Sequence, residues 1–159
     1  MTGAGSADEA ATLAAIDAAN ADDPDRVVLD GEEVSLQAAL GRRASEWVDR
    51  LDPSAAPAQR LAARAHHLRR WVVPRTDYPE GRAGYLRWRR DAKERHAAEV
   101  AEILTGQGWD EATVEEVQRL IRLHDEVHRL FARYERLERA VGHGWLQVVQ
   151  AELAVAEAG

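Results

Sequence analysis

Apolar residues recur along this chain at the three- and four-residue spacing that puts side chains on one face of an α-helix, and proline and glycine interrupt the pattern at intervals. Residues 7–20, ADEAATLAAIDAAN, carry Leu13 and Ile16 three apart in an alanine-rich run and stop before Asp22, Asp23 and Pro24, which predicts a first helix. The next stretch, DPDRVVLDGEEVSL, has a short β-branched run, a turn-prone Asp30-Gly31 pair and a second apolar patch; it fits a small hairpin or an irregular connection equally. Ser35 is a predicted N-cap for a second helix through Leu51, with Leu36, Leu40, Ala44, Trp47 and Leu51 at helical spacing as its apolar face, and Pro53 ends it.

Ser54 and Pro57 open a third helix whose apolar stripe is Ala58, Leu61, Ala62, Ala65 and Leu68. At about 100° per residue, Arg60, Arg64, His67 and Trp71 form a second stripe on that helix, while His66 falls on a flank. Trp71-Val72-Val73-Pro74 stops the helix, because proline disfavours the α conformation of the residue before it. After the loop PRTDYPEG, a fourth helix is predicted from Arg82 to Leu104, with Tyr85, Arg89, Ala92, His96, Val100 and Ile103 facing inward. An arginine and a histidine on an apolar face cost several kcal/mol unless partners satisfy them, so Arg89 and His96 call for either a structural ion pair or a ligand.

Asp110 caps a fifth predicted helix with core positions Val117, Leu120, Ile121, His124, His128 and Phe131, and Trp145 to Glu157 make a short final one. The expected fold is therefore all-α, a single domain over residues 1–159 with five or six helices and residues 1–6 disordered.

Charge adds a location. The net charge is −7, yet residues 60–95 hold 11 basic and 4 acidic side chains between two acidic flanks. That block suggests a local anion site, or arginines paired with carboxylates of neighbouring helices, more than a surface coated by nucleic acid. The chain has no cysteine, so any metal must sit on His, Asp or Glu. Acids and alanines at the start of the chain do not fit a signal peptide, and no apolar run approaches the roughly 20 residues of a membrane span; the expectation is a cytoplasmic protein without a membrane partner.

His124-Asp125-Glu126-Val127-His128 puts two histidines at i and i+4, a spacing that can hold one divalent metal. It departs from the zinc-protease HExxH pattern, with Asp where that pattern has Glu. Read as a His-Asp dipeptide, it invites comparison with helical metal-dependent phosphohydrolases of the HD type. His67, His96 and His124 lie on separate predicted helices that could face one centre, with Arg64, Arg75 and Arg89 on the oxygens of a phosphate. No GxSxG string supports serine catalysis, and no glycine-rich phosphate loop occurs.

The segment LAARAHHLRRWVVPRTDYPEGRAGYLRWRRDAKERHAAE, with IDAAN at 16–20, DGEEV at 30–34 and RRASEWVDRL at 42–51, resembles a bacterial and fungal family known as domain of unknown function 4202. The resemblance spans about residues 13–121 and implies a shared pattern at His67, Arg69, Arg70, Trp71, Pro74, Arg75, Tyr78, Arg82, Gly84, Tyr85, Leu86, Trp88, Arg89 and His96, with position 66 variable. The C-terminal part, 122–159, departs from the family, whose members continue with an apolar helix carrying an acidic pair.

Two readings follow. In the first the protein is a metal-dependent hydrolase of a phosphorylated or otherwise anionic small molecule, with His67, His96, His124 and Asp125 as ligands of a divalent ion. In the second it is a non-catalytic helical module that binds an anionic ligand or a protein partner. Arg64, Arg69, Arg70, Trp71, Arg75, Arg82, Tyr85, Trp88 and Arg89 are the candidate binding residues in either.

Overall fold

In the computed structural model, which describes residues 7–123, helix α1 (Glu9–Ala19) begins where the Asp8 carboxylate accepts the Ala10 and Ala11 amides, at 2.9 and 3.2 Å. A hairpin follows, so the ambiguous DPDRVVLDGEEVSL stretch is not an irregular connection. Strands β1 (Arg26–Leu29) and β2 (Glu32–Ser35) pair antiparallel with Val27 opposite Val34. Their turn is Asp30-Gly31 with both residues at positive φ, 52° and 87°, the two-residue turn whose twist matches the strands.

Ser35 ends β2 and caps α2 (Leu36–Leu51), its hydroxyl accepting the Ala38 amide. The buried Asp23 carboxylate accepts the amides of Asp25 and Gln37, both at 3.0 Å, and so fastens the start of the hairpin to the start of α2. Helix α3 (Pro57–Ala65) opens with proline at its first position, where no amide donor is needed. Two 3₁₀ turns (Arg70–Val72 and Arg75–Asp77) lead to the long α4 (Gly81–Gly106), and α5 covers residues 111–123.

The core lies where α3 and the C-terminal half of α4 meet α1 and α5. Ile16, Leu61, Leu68, Val100, Leu104 and Val117 are fully buried there, and the Trp109 indole donates to Thr12 Oγ1 at 2.8 Å, tying the start of α5 to α1. The described residues are thus mostly helical around one small hairpin, in agreement with the expected fold class. They belong to one compact unit, residues 1–123; the second unit, 124–159, lies outside the described residues. Among the described residues no helix is long and apolar enough to cross a membrane.

Two helix faces differ from expectation. On α2 the large apolar residues point outward, with Leu40, Trp47 and Leu51 at 41, 47 and 65 % exposure, and the buried positions are Gln37, Ala38, Ala39, Gly41 and Ser45. The reason is close approach: a Cβ on Gly41 would overlap the carbonyl oxygen of Arg64, so only small residues fit where α2 crosses α3. On α4 the buried positions are Gly84, Trp88, Ala92, His96, Val100 and Leu104, with Ala97 beside them, and Tyr85 is exposed. Steps of four drift by about 40° each, so the buried stripe turns by roughly 200° along the helix. Its first half faces the loop at 71–79 and its second half the core.

Candidate functional site

Helix α3 stops at Ala65, two residues before His67, and this corrects the expectation that Arg60, Arg64, His67 and Trp71 share one helical face. Arg60 and Arg64 remain on the helix and turn towards α1 and α2. The Arg64 guanidinium grips Asp17 through Nε and Nη2, at 2.7 and 2.8 Å, and donates to Ser45 Oγ at 2.8 Å. Arg42 Nε reaches the same carboxylate at 2.9 Å. Arg64 is thereby committed to holding α1, α2 and α3 together, a structural tie in place of the expected anion clamp.

His67 leaves this face on a turn whose backbone is unusually constrained. Leu68 inserts its side chain fully into the core, and Arg69 adopts a left-handed conformation, φ 51°. Both backbone groups of Arg69 are held: its amide donates to Oδ1 of the buried Asn20 at 2.8 Å, and its carbonyl accepts Nη2 of Arg95 at 3.0 Å. Glu99 lies between the two arginines, 3.6 Å from Arg69 and 3.5 Å from Arg95. Burial lowers the Arg95 pKa and Glu99 works against that shift.

Fixed in this way, the His67 ring stands 6.4 Å from the ring of His96, centre to centre, and His96 is only 3 % exposed in the middle of α4. Arg70 Nη1 lies 2.8 Å from His67 Nε2. Arginine has no acceptor atom, so in this contact the imidazole nitrogen accepts. The same guanidinium covers the Trp88 ring at 4.7 Å, and the Trp88 indole donates to the Val73 carbonyl at 2.9 Å. His66 serves the backbone instead, its Nδ1 donating to the Ala63 carbonyl at 2.7 Å and closing the end of α3.

The loop that follows is fastened to α4 largely through its backbone. Arg75 donates to the carbonyls of Tyr78, Pro79 and Gly81 at 3.0, 2.9 and 3.2 Å, so it folds back on its own loop. Tyr78 donates its hydroxyl to Asp91 at 3.1 Å. Burial, joined by the Asp91 carboxylate, raises the tyrosine pKa, while Arg90 above all holds Asp91 below the usual carboxylate value. Gly84 is required where the loop meets α4, because a Cβ there would overlap the Pro79 carbonyl oxygen.

Of the residues expected to bind ligand, the structure brings together His67, His96, Arg70 and Trp88, while the Arg69 guanidinium faces Glu99 at 3.6 Å. Tyr85 lies 6.0 Å from Trp88 on the exposed side of α4, with the Arg89 guanidinium over its ring at 5.7 Å. Trp71 is half-buried, and Arg82 is exposed in the first turn of α4. His124 and Asp125 lie outside the described residues. Among the described residues no group of three or more His, Asp or Glu is arranged to hold a metal ion, so His67 and His96 alone do not form a complete ligand set. Sequence reasoning missed Asn20, Arg95 and Glu99; the i, i+4 spacing of Arg95 and Glu99 is the one signal that could have drawn notice to them.

No curated protein and no solved structure matches the chain. A family model does, over residues 10–131, and that span contains every residue of the arrangement just described. With three quarters of its length matched, the chain belongs to the family described as Domain of unknown function (DUF4202).

Proposed function

We propose that the protein hydrolyses a phosphorylated or similarly anionic small molecule, with a divalent metal ion held in part by His67 and His96. The observation that carries this reading is the approach of the two imidazoles to 6.4 Å between ring centres, one from a turn and one from the middle of a helix. A metal–nitrogen bond of about 2.0–2.1 Å sets each ring centre about 3.2 Å from an ion, so this pair is at the outer edge of what one ion can join. His124 and Asp125, expected from the sequence as further ligands, lie outside the described residues. The ion would supply a water of lowered pKa; Arg69 and Arg70 supply positive charge for the anionic group, and Trp88 an apolar wall.

One observation favours the second reading, an anion-binding module without catalysis: the Arg70 guanidinium already occupies His67 Nε2. Metal content separates the two. The hydrolase reading expects about one ion per chain by mass spectrometry of wild-type protein, its loss in His67→Ala and in His96→Ala, and phosphate release from phosphate esters. Wild-type protein that takes up no Mn, Fe, Zn or Ni, yet still binds phosphate esters, would leave the binding module.

A further inference from the structure

We propose that a recess between α1, the hairpin and α2 is a ligand site of its own, and that it binds a short aliphatic carboxylate. The site is independent of the metal reading above. The recess has a volume of about 170 Å³, with Asp17 of α1, Arg26 and Ser35 of the hairpin and Arg42 of α2 around it. Ala21, Val34 and Ala38 are its apolar walls. At roughly 30 Å³ for each water there is room for about six, close to the size of a four-carbon acid.

Three guanidiniums meet here and two carboxylates answer them. Asp17 accepts three N–H bonds from Arg42 and Arg64, so one negative charge serves two positive ones. Arg64 spends its last nitrogen on Ser45. Arg42 donates only through Nε, and its Nη1 and Nη2 make no hydrogen bond among the described residues. Arg26 gives Nη1 to the Ala21 carbonyl at 3.2 Å and meets Glu33 at 3.5 Å, with side chains 41 and 71 % exposed. So open a pair is weak, and Arg26 Nη2 has no hydrogen-bond partner among the described residues.

Ser35 adds a donor. Its hydroxyl accepts the Ala38 amide at 3.3 Å, while its own proton has no acceptor among the described residues. Arg26 and Ser35 are opposite each other in the hairpin register, which puts their side chains on one face. Apart from the exposed Glu33, the side chains here with bonding capacity to spare are donors. They call for an anion with two acceptor oxygens, which the planar end of an arginine takes side by side. The walls choose among anions: a phosphate gains nothing from Ala21, Val34 and Ala38, whereas the alkyl carbons of a carboxylate leave water against them.

The test titrates butyrate into the isotope-labelled full chain at constant ionic strength and follows backbone amide shifts by NMR. Saturable shifts centred on Ala21, Val34, Ser35 and Ala38 are expected, at a roughly millimolar Kd for so small a ligand. Butyramide has the shape without the charge, and inorganic phosphate the charge without the alkyl body. Each is expected to bind at least about tenfold more weakly. Arg42→Gln and Arg26→Gln are each expected to weaken butyrate by about tenfold or more. Arg26→Gln, which leaves the Asp17 cluster intact, decides the matter if Arg42→Gln fails to fold. Butyrate that gives no saturable shift at these amides, or whose binding Arg26→Gln leaves unchanged, would overturn the site. Butyramide binding as tightly as butyrate, or phosphate binding more tightly, would overturn the assignment of an aliphatic carboxylate.

Discussion

Arg64 and Arg70 stand six positions apart and do opposite things with the same side chain. Arg64 meets a carboxylate held from two sides, while Arg70 meets an imidazole nitrogen and an indole face. The contrast extends to their neighbours. Arg42 and Arg60 close on Asp17 and Asp49, whereas Arg75 closes on three backbone carbonyls. Guanidinium matched by carboxylate cancels charge and fixes helices to one another. Guanidinium matched by carbonyl oxygens, as at Arg75, is held in position by neutral acceptors instead. Of the basic residues between 60 and 95, Arg60 and Arg64 belong to the scaffold, and Arg69, Arg90 and Arg95 face carboxylates as well.

The largest test of this contrast is Asp17→Ala, which leaves the Arg42 and Arg64 guanidiniums facing each other without their carboxylate. It is expected to cost about 2–4 kcal/mol in chemical denaturation, allowing for partial exposure of the cluster. A loss no greater than that of an ordinary surface change would erase the distinction. Gly84→Ala comes next: the Pro79 carbonyl must move, at about 1–3 kcal/mol, and the Trp88 environment should change in fluorescence while α1–α3 stay intact by hydrogen exchange. Arg70→Met is expected to change stability by less than about 1 kcal/mol and to show its effect in ligand binding, the reverse of Asp17→Ala.

The smallest effect is in pH. A tyrosine pKa raised in the folded state means that the unfolded chain ionises first, so folded stability falls as pH climbs above about 10. Tyr78→Phe should flatten that alkaline limb of a Tm-against-pH curve. An unchanged curve would detach the Tyr78–Asp91 contact from stability.

Element ends were legible in the sequence because they are local chemistry. Ser35 and Pro53 bracket α2 at the expected residues, and α4 runs Gly81–Gly106 where Arg82 to Leu104 was expected. Faces were less legible, since a face is chosen by a neighbour. Leu40 and Trp47 looked like core on apolar character alone, but the backbone of α3 comes too close to α2 for any large side chain. On α4 one averaged stripe captured Ala92, His96 and Val100 and missed Trp88, because the helix leans on different partners at its two ends. Together with His124, which lies outside the described residues, His67 and His96 were singled out from residue type and the family pattern. Their distance was not readable, because the break after Ala65 that sets it depends on Asn20, which lies 49 positions before the Arg69 amide it holds.

That dependence gives Asn20 an importance out of proportion to its chemistry. By holding the Arg69 amide while Arg95 holds the carbonyl, it serves as the fixed mark from which His67 is measured. A residue that touches no ligand thereby sets the tolerance of the site, and an engineer wishing to widen or narrow the gap between the two imidazoles would begin at the end of the first helix.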